Sequence, residues 1–401
     1  MQTITADLII CGGGAAGLPA ALQAARLGLD TVVVEDDRMI GGAAVDMGVQ
    51  NFEGRPFMGI YKELIESMKR IDPEMNNYIC FRKSTYRLAW EKLFRNQPVR
   101  FITGEKIKGV RRDGSRIVSV SSDHFVFCGK TFIDATGNGD IAFLAGCDYK
   151  MGRESCSEYG ESEYFAPKKA DDQIQTCTLL YAIKRIGGSE TEPPVWATIS
   201  KDEFLVWGPS VYCENPLNEQ LLAEKTAIAL NQLNSDAEKW LDRGYVISEI
   251  ADKLGVRETR RFMGKYVLSH NDIIERKHFP DSIAAMRYPV DPWEKEGNPF
   301  HDEKKKMACE TPYYEVPYRI LLPRDIGNLF FSGRHVSATH VVNASLRVMG
   351  FCAATGQAAA VGSYLSLKHH CPNDKVDILR LRKILNDAGM TTCISDLPNE
   401  Y

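Results

Sequence analysis

Two groups of residues in this chain have types and spacings that could do chemistry. Near the start, Gly12-Gly13-Gly14-Ala15-Ala16-Gly17 spells G-x-G-x-x-G directly after the apolar run Ala6–Cys11, and an acidic residue, Glu35, follows. In such a turn Gly12 allows the tight bend, Gly14 lets the backbone approach a pyrophosphate, and Gly17 permits close helix–strand packing. Glu35 can then accept hydrogen bonds from a ribose diol, while the N–H groups of a helix beginning near Ala15 meet the phosphates. The second group is acid/base and cationic. His335, His270 and His340 could move protons near neutral pH. Arg257 and Arg260 offer guanidinium forks that match a carboxylate, although these charges could equally pair with neighbours across a sheet.

The elements around the first group have the right form. Ala6–Cys11 reads as a strand, a helix-like segment ends at Gly28, and Thr31-Val32-Val33-Val34-Glu35 is the β-branched run of a buried parallel strand. Helical spacing recurs over 57–70 and 84–96, and short strands fill 99–120, broken at Asp113-Gly114. Thr131–Asp134 forms another strand running into the turn Ala135–Asp140. From about 150 to 310 the texture is more polar, with helix-like segments over 217–234 and 235–254, a strand-like stretch from Val256 to Leu268 and a charged, solvated run from Asp302 to Lys306. In that stretch Arg257, Thr259 and Arg261 would share one face, with Glu258 and Arg260 on the other. Buried, glycine-rich sequence returns after Tyr313. The expected fold is α/β: a Rossmann-type domain from the discontinuous segments 1–150 and 311–401, with inserted antiparallel strands, and a second α+β cap or substrate domain over 151–310.

Taken together, the fingerprint with Glu35, the doublet Gly41-Gly42, the strand end Asp134-Ala135-Thr136-Gly137 followed by Gly139-Asp140, and the stretch from Gly333-Arg334 to Gly356-Gln357-Ala358 resemble the FAD-dependent oxidoreductases of the glutathione-reductase superfamily, in the branch of fumarate-reductase-type flavoproteins. The resemblance implies that Gly12, Gly14, Ala15, Ala16 and Gly17 hold the pyrophosphate and that Glu35, with Asp36 beside it, holds the adenosine ribose. Gly41, Gly42, Ala43 and Ala44 would pass beside the phosphates toward the flavin. Ala135, Thr136 and Gly137, with Gly139 and Asp140 after them, would line the adenine side near Lys106 and Ile107. It further implies a helix whose N-terminus, at Gly350, Ala353 and Ala354, points at the flavin pyrimidine and favours an anionic reduced flavin. Gly333, Arg334 and Arg347 would lie close to the cofactor, and Tyr288 and Tyr318 could position substrate.

Departures from the family pattern narrow the chemistry. No second G-x-G-x-x-G follows a strand past residue 100, so a nicotinamide domain is not expected, and no C-x-x-C pair is present. No histidine lies between Gly41 and Pro56, which leaves the FAD noncovalent. Gly333-Arg334-His335 stands where flavin hydroxylases carry G-D-A, which counts against a monooxygenase. The function expected is hydride transfer between flavin N5 and a C–H bond of a small organic substrate, with His335 first and His270 second as proton carriers and Arg257 and Arg260 binding substrate. The alternative is an electron-transfer subunit that works with an electron-acceptor protein.

Composition agrees with small-molecule chemistry. With 49 basic and 53 acidic side chains, the net charge of −4 gives no footprint for nucleic acid. The 11 cysteines are scattered without metal-ligand spacing, so no metal is expected. Neither a signal-like N-terminus nor an apolar run of membrane-spanning length occurs, and the expected location is the cytoplasm without membrane insertion.

Overall fold

The computed structural model describes residues 1–186, 193, 197–295 and 309–397. Its main sheet is built from β1 (Gln2–Cys11), β2 (Thr31–Glu35), β3 (Val99–Thr103), β4 (Gly109–Asp113), β5 (Arg116–Ser121) and β6 (Phe125–Asp134) in the order β3-β2-β1-β6-β5-β4. A late strand, Leu329–Phe331, also pairs with β6, in parallel and over Phe132–Asp134, beyond the point where β5 leaves it. The parallel half is buried on both faces: all five residues of β2 are buried, as its unbroken β-branched run requires. β4 and β5 form the inserted antiparallel piece. The fold is therefore α/β with a mostly parallel Rossmann-type sheet.

Between β1 and β2 runs α1 (Gly17–Arg26); α2 (Gly59–Ile71) and α3 (Lys83–Phe94) precede β3, and α4 (Asp140–Leu144) follows β6. A second, antiparallel sheet contains β7 (Tyr181–Arg185), β8 (Ala197–Ser200), β9 (Glu203–Val206) and β10 (Tyr245–Ile250) in the order β8-β9-β7-β10. Across it lies α5 (Glu219–Asp242), capped by Asn218, whose side chain accepts from Leu221 N at 3.0 Å. The two helices expected over 217–254 are this one helix followed by a strand. No glycine or proline interrupts 219–242, and Gly244, at φ +81°, makes the turn into the aromatic and β-branched run of β10.

The second sheet has its own core, in which Ile183, Phe204, Ala229, Leu233 and Tyr245 meet. By contrast, Phe262, Leu268, Phe279 and Ile283, from the later part of the expected cap, pack into the core of the main sheet. The expected strand over 256–268 shrinks to Arg261–Phe262, paired with Tyr149–Lys150. Its alternation of faces also fails: Arg261, fully buried, folds back onto Glu258 and reaches Glu154 at 2.7 Å. A buried guanidinium must be paired, and that requirement overrides strand geometry here. The charged run Asp302–Lys306 lies outside the described residues.

After the last sheet strand come α6 (His340–Leu346), α7 (Met349–His369) and α8 (Ile378–Asp387). α7 is made of small residues on every side because it packs against backbone. A Cβ on Gly356 would lie 2.0 Å from the Ala16 carbonyl oxygen, and one on Gly362 would lie 2.4 Å from the Tyr318 hydroxyl. The N-terminal ends of α1 and α7 are thereby locked side by side at the C-terminal edge of the parallel strands, where α/β folds bind ligands.

Candidate functional site

A single cavity of about 2040 Å³ opens at that edge, between the main sheet and the face of α5. Gly12, Gly14, Ala15 and Ala16 line one end, with Glu35, Asp36, Lys106 and Ile107 beside them and Ala135, Thr136, Gly137 and Asp140 opposite. The glycines fit the expected roles. A Cβ on Gly12 would strike the Ala135 carbonyl oxygen at 2.3 Å, and one on Gly17 the Gly12 carbonyl oxygen at 1.8 Å. Gly14 meets only the Gly42 Cα, at 3.5 Å, so its exposed side is free for a ligand. Gly17 is thus a packing residue outside the cavity wall, as are Gly41, Ala44 and Gly139, whereas Gly42 and Ala43 line it.

Glu35 is fixed by backbone N–H groups of its neighbours. Gly13 N–H donates to its Oε2 and Asp37 N–H to its Oε1, at 3.1 Å. Burial, reinforced by a proton shared with Asp36, still raises its pKa to about 8. The turn after β6 is organised by a residue in the quoted strand end whose role the sequence did not reveal. Asp134, fully buried, accepts from Thr136 Oγ1 at 2.6 Å and from Ala142 N at 2.8 Å. Thr136 Oγ1 accepts in turn from Asp140 N. The A-T-G strand end is therefore held from beneath by a carboxylate.

At the other end the wall consists of Gly42, Ala43, Asn51, Glu53, Arg55 and the start of α7. The helix expected there is present, but Val348, Met349 and Cys352 face the cavity, while Gly350, Ala353 and Ala354 pack behind it. Gly350 donates its N–H to the Glu53 carbonyl at 3.2 Å, and a Cβ there would lie 2.7 Å from that oxygen. Gly333 and Arg334 line the same end, and Gly333 adopts φ +93° with its N–H bonded to Thr355 Oγ1.

The expected histidines are not there. His335 is fully buried between Phe262 and Phe331, with Nε2 3.6 Å from Asp134 Oδ1. His270 is 6% exposed and packs edge-on against Phe165. Burial lowers both to about 4, so both are neutral at pH 7. Neither lines the cavity, so the structure does not bring them to the place where they were expected to carry a proton. Proximity to Gly333-Arg334 along the chain misled, because the backbone at His335 turns its ring into the core. His340 is likewise buried, its Nδ1 2.9 Å from Glu258, and Tyr318 is a core residue whose hydroxyl donates to the Asn373 carbonyl.

The arginines do reach the cavity. Arg257, Arg260, Arg334 and Arg347 line it together with Tyr288, Asp291 and Trp293. Arg260 pairs with Asp140 and Arg347 with Asp291, each at 3.1 Å. Arg257 and Arg334 have no ion-pair partner among the described residues. Arg257 donates to the Thr176 carbonyl at 2.8 Å and to Thr178 Oγ1 at 2.7 Å, with its guanidinium 4.0 Å from the centre of the Trp293 ring. Arg334 donates to Asn138 Oδ1 at 3.1 Å, and its Nε has no partner. Burial and the nearby Arg347 push the Arg257 guanidinium down from its ordinary range.

The cavity can accept a dinucleotide: glycine backbone for the pyrophosphate, an acidic residue for the ribose, and a second end with room for a ring system. Over 47 residues, 12% of this chain and only 10% of the relative's length, the sequence is 46% identical to mitochondrial dihydrolipoyl dehydrogenase of Caenorhabditis elegans. A geranylgeranyl bacteriochlorophyll reductase-like protein from Thermoplasma acidophilum aligns in structure over 97% of this chain and 85% of its own, at 10% identity and a TM-score of 0.46. GidA from Aquifex aeolicus aligns over 97% and 68%, at 14% identity and a TM-score of 0.42. No described helix is long and apolar enough to cross a membrane. A family model for FAD-dependent oxidoreductases matches residues 7–210 and 217–385, which contain both walls of the cavity, and the chain belongs to that family of FAD enzymes.

Proposed function

We propose that this protein oxidises or reduces a small organic anion at a C–H bond, with the flavin end of the cavity formed by Gly42–Arg55 and the start of α7. The observation that carries the reading is the pair Arg257 and Arg334, two cations on the cavity wall that no carboxylate among the described residues meets at ion-pair distance. Holding a guanidinium in a partly desolvated wall costs free energy that an anionic ligand would offset. FAD, when bound, supplies a two-electron carrier able to exchange a hydride with carbon.

The remaining work falls to side chains of this chain. Arg257, fixed by Thr176, Thr178 and Trp293, orients a substrate carboxylate. Arg347 is held by Asp291 and by Gln175, whose Oε1 accepts from its Nε at 2.9 Å, and sets the rim beside it. With the histidines excluded, Glu53 is the proton carrier we assign. It lines the cavity, burial raises its pKa, and Asn51 Nδ2 donates to its Oε1 at 2.9 Å. The cap is proposed to be the unit built on the second sheet, with α5 closing over the cavity. The test is anaerobic mixing of the FAD-loaded protein with panels of hydroxy acids, amino acids and unsaturated acids against uncharged analogues. Bleaching of the flavin by one or more acids supports the reading, and bleaching by uncharged alcohols or sugars alone overturns it.

A further inference from the structure

The cavity has a third wall that neither the dinucleotide nor a small acid accounts for. On α5, Leu222, Thr226, Ala227 and Leu230 face into it, one helical stripe at spacings of four, one and three residues. The adjoining face of the same helix packs on the second sheet through Ala229, Leu233 and Trp240, with Leu222 at the boundary between the two. Leu230 is left 42% exposed, and Leu180 and Trp207 extend the apolar surface across the cavity. Beyond that packed face Ala223, Ala227 and Leu230 carry the apolar surface on toward an open chamber, where a helix bordering solvent normally turns polar.

Size and charge point to the same occupant. Pockets for drug-sized ligands run to roughly 1,000 Å³, so a dinucleotide in a cavity of about 2040 Å³ leaves on the order of 1,000 Å³ unfilled. Arg257 stands at the inner rim of that space. Its partner Thr178 Oγ1 is 3.3 Å from Ser210 Oγ, and Ser210 itself lines the cavity. We propose that the substrate is amphiphilic, with a carboxylate on Arg257 and a hydrocarbon chain in the apolar chamber beneath α5. This deepens the functional reading above and rests on its assignment of Arg257 as the anion anchor.

The test is isothermal titration of the FAD-loaded full chain with straight-chain carboxylates from acetate to octanoate and with the matching alkylamines. Full burial tightens binding by about fourfold per methylene, and the expected gain is between about twofold and fourfold at each step, for the acids alone. Leu230→Asp, at a position already open to the chamber, should flatten the dependence while the protein keeps its flavin. Ala227→Phe, which narrows the chamber, should shorten the longest chain accepted. A dissociation constant independent of chain length in the wild type overturns the chamber and leaves the anion reading standing. Amines binding as tightly as acids overturn the anion reading itself.

Discussion

The proposed role of Glu35 as the ribose-binding carboxylate carries a pH dependence that can be worked out in advance. In the ligand-free protein Glu35 holds its proton up to about pH 8, because burial and the shared proton with Asp36 outweigh the N–H groups of Gly13 and Asp37. A ribose diol donates two hydroxyls and therefore selects the ionised carboxylate, so FAD binding must expel that proton. Below pH 8 the dissociation constant should thus fall tenfold for each unit of rising pH and level off above it. Asp46, another carboxylate in the cavity, and buried Asp134 titrate near 6, and the clean window starts above them. Between pH 6.5 and 8, where the carboxyl goes from about 3% to half ionised, the gain is about 16-fold in affinity, or about 1.6 kcal/mol. The unfolded chain releases the same proton near its ordinary value of 4.5, so the stability of the ligand-free fold runs the other way, falling as pH rises from about 4.5 through about 8. The assay is quenching of FAD fluorescence on titration into flavin-stripped protein at stepped pH. Glu35→Gln should bind FAD more weakly at pH 8 and lose the slope. A wild-type affinity that is flat or falls over the window, or a Gln variant with the same slope, refutes the reasoning.

Three substitutions separate the roles assigned to the cavity. Gly14→Val places a side chain in ligand space while meeting little else, so the purified protein should be colourless, with an unfolding free energy within about 1 kcal/mol of the wild-type apoprotein. Arg257→Met should leave flavin content unchanged and raise KM about 10- to 100-fold, the worth of a charged hydrogen bond to a carboxylate; an unchanged KM would remove it from substrate binding. His335→Leu replaces a neutral ring whose nitrogens make no hydrogen bond to another group, and turnover should stay within about threefold with full flavin content; a loss of a hundredfold or more with flavin retained would return it to the chemistry.

How far the sequence revealed this site depended on whether a residue's role was local. The turn at Gly12–Gly17, the strand β2 ending in Glu35 and the strand end at Asp134–Gly137 were legible because backbone conformation and close approach demand those residues at those spacings. The helix α7 was legible from its small residues, although which of them face the cavity was not, since that depends on how α7 is rotated against α1. Glu53, Asp291 and Trp293 reach the site only through tertiary convergence of distant segments, and the one marker near the last two, Tyr288, did not extend to them. The histidines show the reverse error. His335 follows a cofactor motif directly, yet burial between Phe262 and Phe331 removes it from any substrate, and linear proximity carries no information about that. The alternation expected at Arg257–Arg261 failed because Arg261 needed two buried carboxylates more than the segment needed strand geometry.

The most direct test of the central claim is the absorption spectrum and released-cofactor analysis of the intact protein purified without added ligand. The account predicts a flavin spectrum, with FAD freed at about one per chain by denaturation alone, as the noncovalent cradle of Gly12, Gly14 and Glu35 requires. A protein that neither carries nor takes up FAD, or that binds a nicotinamide dinucleotide in preference, contradicts it.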